Sequence, residues 1–209
     1  MRIQQLDEDY ALTRKKLWPK AFKIGLYFIA LMWGIFFIDK LLPFIALNSY
    51  GIHPRQLNRI YGIFTTVFLH GSLSHLMSNT LPLLLALTAL FGNYPKIAKK
   101  VFIYSIILTG IMVWLFARNA NHIGASGILY AILTFIFISG FIRKDMQSVG
   151  ISLVIVFLYG SLVFGIIPNK AHISWESHLF GLLVGVFLAW LYRKREIPIY
   201  KTYQDFDDD

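Results

Sequence analysis

The chain has 209 residues, of which 56% are hydrophobic and 16% aromatic, with a formal net charge of +9 and no cysteine; its mean hydropathy is +0.59. That apolar share exceeds what a soluble domain needs to fill its core, so the composition points to a membrane protein and argues against an ordinary aqueous enzyme. The missing cysteines exclude disulfides and a thiol nucleophile without deciding the compartment.

In chain order, residues 1–20, "MRIQQLDEDYALTRKKLWPK", are charged and have no apolar stretch with a small-residue cleavage site, so they do not read as a secretory signal. They are expected to form a short helix on the cytoplasmic face. A bilayer core of about 30 Å takes roughly 20 apolar residues of helix. Six such stretches follow, near 22–42, 73–91, 101–117, 123–142, 149–167 and 175–192. The expected fold is therefore an all-α membrane protein, a bundle of six transmembrane helices over residues 21–192. The connection at 43–72 is longer than the others and rich in aromatic and apolar residues, which suits helical pieces packed on the bundle and dipping into the outer leaflet. Residues 193–209 end in the acidic "YQDFDDD" and read as a cytoplasmic, solvated tail.

Lys and Arg near span ends resist translocation. With a cytoplasmic N-terminus, Arg14, Lys15, Lys16, Lys20, Lys23, Lys96, Lys99, Lys100, Arg143, Lys144, Arg193, Lys194 and Arg195 all fall inside, and only Lys40, Arg55, Arg59, Arg118 and Lys170 fall outside. Both termini are thus expected in the cytoplasm. Because the basic residues sit at span ends, anionic lipid headgroups of the bilayer account for the positive charge, and nucleic acid is not expected as a partner.

Polar groups are costly in hydrocarbon, so those inside spans usually face the bundle interior and are functional candidates. The second span carries His75 and Asn79 four residues apart, on one helix face, with His70 where loop becomes helix. Pro82 removes the helical partner of the Ser78 carbonyl and permits a bend. The fourth span opens on Gly124, Ala125, Ser126 and Gly127, with Tyr130 one turn on from Ser126. The sixth carries His178 close to a Gly181-x-x-x-Gly185 face that admits a neighbouring helix. From an inside N-terminus, the even-numbered spans all begin outside, so these polar groups share one depth. Taken singly, each has a plain packing role: a serine bonding a carbonyl of its own helix, or a histidine satisfied in the core. Their common depth reads as one site.

A serine becomes a nucleophile when a neutral imidazole takes its proton, and acyl transfer also needs donors aimed at the developing oxyanion. His178 suits the base; His75, Asn79 and the Ser126 backbone N–H suit the oxyanion. A carboxylate normally orients such a base, but Asp39 lies on the first span, and Glu176 lies roughly on the far side of the helix from His178. The expectation is a Ser126–His178 dyad with the Tyr130 ring packed on the base. The H-E-x-x-H ligand pattern of a zinc protease is absent, and no pair of carboxylates suits an aspartyl site. Neither a metal nor another cofactor is expected.

Taken together, His-x4-His-x3-Asn on the second span, Gly-x-Ser-Gly on the fourth and His-x2-Gly-x3-Gly on the sixth resemble the rhomboid family of intramembrane serine proteases. The resemblance covers the whole bundle. It implies that Ser126 is the nucleophile and His178 the general base, that His75 and Asn79 occupy oxyanion-stabilising positions, and that Gly124 is the lead of the serine motif. It further implies that Tyr130 is an aromatic neighbour of the base and His70 a structural histidine. The substrates it implies are transmembrane proteins, cut near the outer end of their spans; a bacterial inner membrane is the expected location. The chain departs from the family in lacking a Trp-Arg pair within 43–72 and in placing Ser177, not Gly or Ala, before the base. Two rivals stand beside this reading: a catalytically silent relative that binds membrane clients, and a small transporter. The sequence does not fix an oligomeric state.

Overall fold

Residues 2–18 contain neither Gly nor Pro, so nothing in the backbone interrupts a helix there. The computed structural model describes residues 2–144, 146–158 and 174–195, and in it α1 runs unbroken over Arg2–Leu41. The separate surface helix expected for residues 1–20 is instead the first half of this rod. Pro19 lies inside it; it removes the bond to the Lys15 carbonyl and crowds that oxygen, yet the helix continues on both sides. Pro43, two residues beyond the helix end, opens the long connection.

That connection is a string of short helical pieces: 3-10 turns at Pro43–Ile45, Leu47–Tyr50 and Leu57–Arg59, one α-turn, α2, at Gly62–Thr65, and a last 3-10 turn at Thr66–Phe68. It is sewn to the segment between the fourth and fifth helices. Ile52 and His122 exchange backbone hydrogen bonds of 2.9 Å in both directions, and Asn121 donates its amide to the Asn48 carbonyl at 2.7 Å. Arg55, whose φ is 63°, donates its guanidinium to the Leu115 and Ala117 carbonyls at 3.2 and 2.8 Å. Those carbonyls lie at a helix C-terminus, where a cation satisfies groups that have no partner within the helix.

The remaining helices are α3 (Leu73–Asn93), α4 (Ala98–Phe116), α5 (Ser126–Ile142), α6 (Met146–Leu158) and α7 (Trp175–Leu191). The described chain is thus an all-α bundle with a single isolated β-bridge. Residues 16–41, 73–93 and 98–116 are long and apolar enough to cross a bilayer; the apolar helices at 126–142, 148–157 and 175–191 are shorter. At 1.5 Å per residue, the 17 residues of α5 reach about 26 Å, a little under the hydrocarbon thickness. The fifth stretch was expected to extend to 167, and residues 159–167 lie outside the described ones, as do Lys170 and the tail from 196.

α5 is the central element. Leu129, Ile132, Phe135 and Ile136 are fully buried, and the helix packs on α3, α4, α6 and most extensively on α7. α5 and α7 run parallel, for Ser126 meets His178 at one end and Arg143 donates to the Tyr192 carbonyl at 2.8 Å at the other. α1 packs on α3, with Gly25 against Leu84, Trp18 against Gly92 and a 3.0 Å hydrogen bond from the Trp33 indole to Thr80.

Candidate functional site

Two glycines decide how closely α5 and α7 approach. A Cβ on Gly181 would fall inside the van der Waals envelope of the Gly127 carbonyl oxygen, and one on Gly185 would sit 2.5 Å from the Ala131 carbonyl oxygen. Only hydrogen at these positions lets the two backbones touch. Because they do, the short side chain of Ser126 reaches the neighbouring helix, and its Oγ lies 2.7 Å from His178 Nε2. The Tyr130 ring, one turn below Ser126, stacks on the imidazole with centroids 4.4 Å apart and planes 10° from parallel. His178 is buried and Ser126 half-buried.

The start of α5 is set by Gly124, whose φ of +121° lies where a side chain is strained. Helix therefore begins at Ser126, three residues later than the stretch expected from 123. Gly124 N donates to the Thr66 carbonyl at 3.0 Å, which anchors the turn to the long connection. A Cβ on Gly124 would also lie 2.8 Å from Cε1 and Nε2 of His75 and 3.8 Å from Ser126 Oγ. The His75 ring and the serine hydroxyl thus flank the same glycine, with room between them because it has no side chain.

Ser72 caps α3 by accepting the His75 backbone N–H at 3.1 Å. Asn79, buried, donates its amide to the His75 carbonyl at 2.8 Å within its own helix. That bond uses one of the two N–H groups of the amide and leaves the other for a second acceptor. The His70 ring packs edge-on to His75 at 5.0 Å and is 1% exposed. Burial, reinforced by the neighbouring His75, holds the His70 imidazole at about 3 against the usual 6.5.

The two carboxylates nearest the site are engaged elsewhere. Asp39 accepts from the Asn48 backbone N–H at 3.2 Å and from its side-chain amide at 2.7 Å. Glu176, 4% exposed, pairs with Arg118 at 3.4 Å. Among the described residues no group of three or more His, Asp or Glu is placed to hold a metal ion.

One participant has no counterpart in the sequence motifs. His122, four residues before Ser126 and only 2% exposed, bonds Ser174 Oγ at 2.6 Å and the Arg118 carbonyl at 3.0 Å. Ser174 in turn bonds Ser177 at 2.6 Å. The available signal is a histidine in a short connection together with a Ser-x-x-Ser pair just ahead of His178, but nothing local links residues 52 positions apart.

Comparison with known proteins agrees with this architecture. A family model described as Rhomboid domain matches residues 57–195. An uncharacterized protein of Mycobacterium tuberculosis is 33% identical over 191 residues, covering 86% of this chain and 78% of the relative. An uncharacterized protein of Mycobacterium leprae is 30% identical over 199 residues, covering 86% of this chain and 74% of the relative. Apolar helices together with bacterial relatives support a bacterial membrane protein.

Proposed function

The chain belongs to the rhomboid family, and from that premise we propose that it is an intramembrane serine endopeptidase, cutting transmembrane proteins near the extracytoplasmic ends of their spans. The observation that carries the reading is the 2.7 Å approach of Ser126 Oγ to His178 Nε2. The proposed setting is a six-span bundle over residues 21–192 in a bacterial inner membrane, with the N-terminal segment and the 193–209 tail both cytoplasmic.

In this mechanism His178 is neutral, with its proton on Nδ1 and the Nε2 lone pair toward the serine. Ser126 Oγ attacks the scissile carbonyl carbon as its proton passes to Nε2. The negative charge that develops on the carbonyl oxygen is met by the Ser126 backbone N–H, the free N–H of Asn79 and the His75 ring. Collapse of the tetrahedral intermediate breaks the C–N bond, and His178 returns the proton to the departing amine. Water then repeats the sequence on the acyl-enzyme. The Tyr130 stack limits rotation of the base between the two half-reactions, a restraint usually supplied by a third, carboxylate member.

The test is cleavage of a model transmembrane substrate by purified protein in detergent, beside Ser126→Ala and His178→Ala. Each variant is expected to lose at least about 10³-fold in rate. Equal cleavage by all three proteins would sink the assignment, as would fluorophosphonate labelling that survives Ser126→Ala. Binding of the substrate without any cleavage would favour a catalytically silent client binder.

A further inference from the structure

Ser174 is the N-cap residue of α7, yet its hydroxyl makes no capping bond to that helix. It points instead to His122 and Ser177. The proton positions in this chain of bonds follow from its far end. The Arg118 carbonyl can only accept, so His122 Nε2 carries the hydrogen and donates at 3.0 Å. Nδ1 is then the bare nitrogen, and the Ser174 hydroxyl must donate to it at 2.6 Å. The Ser174 oxygen is left to accept the Ser177 hydroxyl at 2.6 Å. Each donor is thereby assigned, and the result is a directed chain from Ser177 through Ser174 and His122 to the end of α4.

The ring at the centre of this chain is rigidly mounted. The His122 backbone is paired with Ile52 in both directions, and its carbonyl accepts the Thr66 hydroxyl at 2.8 Å. A second link runs parallel to the first, as Arg118 reaches the buried Glu176 at 3.4 Å. The charged and titratable groups around His122 are Glu176, Arg118 and His53, and burial favours the neutral ring that the bond pattern requires. Both links grip the first turn of α7, and His178 is the residue directly after Ser177. Such fixing matters because a misplacement of about 1 Å at a reacting group costs on the order of 10²-fold in rate.

We infer that His122 is a positioning residue for the base: with Ser174, Ser177 and the Arg118–Glu176 pair it fixes the first turn of α7 and so the depth at which His178 meets Ser126. The inference rests on the protease reading above. Glu176 takes part through the first turn of the helix that bears the base.

The variants that test it are Ser174→Ala, which cuts the chain at its middle, and Ser174→Thr, which keeps the hydroxyl. Ser174→Ala is expected to lower kcat on a transmembrane substrate, and the rate of fluorophosphonate labelling, by about ten- to a hundredfold, with KM and melting temperature little changed. Ser174→Thr is expected to recover most of the rate. In protein labelled with 15N-histidine, Ser174→Ala should move the His178 Nε2 resonance and Ser174→Thr should not, a readout that needs no turnover. An unmoved resonance with unchanged kcat overturns the inference, and so does a loss of rate that tracks the melting temperature in both variants. An unaltered chain that neither cleaves nor labels overturns the protease reading instead, and the resonance comparison then decides the positioning role alone.

Discussion

The α5–α7 seam and the α1–α3 seam join helix pairs of the same bundle by opposite means. α5 and α7 meet backbone to backbone across Gly181 and Gly185, where an added Cβ would lie within 2.5 Å of a carbonyl oxygen, whereas α1 and α3 meet mainly through side chains: the Trp33 indole reaches Thr80, and a Cβ on Gly25 would find Leu84 at a looser 3.0 Å. The glycine seam brings Ser126 and His178 within hydrogen-bond range; the side-chain seam buries area and holds the frame. In the proposed mechanism, the close approach of α5 and α7 is what lets Ser126 reach His178, whereas the α1–α3 seam answers only to stability.

The sharpest way to break this contrast is to widen the narrow seam. Gly181→Leu should push α7 off the Gly127 carbonyl, cost about 1–3 kcal/mol or more as overpacking and abolish cleavage; a variant that still cleaves at the normal rate would show that the glycine contact does not set the site. Acid tests the other side of the site, where His70 leads into α3. Its folded-state value of about 3 lies below the unfolded 6.5, so below pH 6.5 the unfolded chain binds a proton that the folded chain refuses. Stability is thus highest above pH 6.5 and falls with pH, by about 2 kcal/mol at pH 5. Thermal melts of the protein and of His70→Phe between pH 7 and pH 5 should show a steeper loss in the former.

Smaller effects sharpen the comparison within each seam. Tyr130→Phe keeps the stacked ring and should retain most activity, while Tyr130→Leu should lower kcat up to about tenfold, the scale of an aromatic contact of about 0.5–1.5 kcal/mol. Trp33→Phe removes the hydrogen bond to Thr80 together with part of the ring's packing, and should lower stability by at least about 0.5–1.5 kcal/mol with no change in kcat. A larger effect of Trp33→Phe than of Tyr130→Leu on kcat would mean that the α1–α3 seam also positions the site.

Much of this arrangement was legible in the residues, and the reasons are local. Apolar runs mark the helices, and the spacings of Gly124 to Gly127 and of His178 to Gly185 mark two small-residue faces, each beside a polar group. What was not legible depends on long-range partners or on backbone detail. The charged stretch 1–20 reads as a surface piece, because composition does not reveal that the helix persists through Pro19. The onset of α5 at Ser126 depends on the left-handed turn at Gly124, and hydropathy is blind to φ. His122 looks like an idle loop residue until Ser174, 52 positions later, is brought beside it.

The paired backbones of Ile52 and His122 turn the long connection into a strut. Their amide protons point into each other's carbonyls, so they exchange with solvent only when the strut parts from the segment that leads into α5. Exchange at these two amides therefore counts how often the frame around Ser126 comes open, on a clock independent of catalysis.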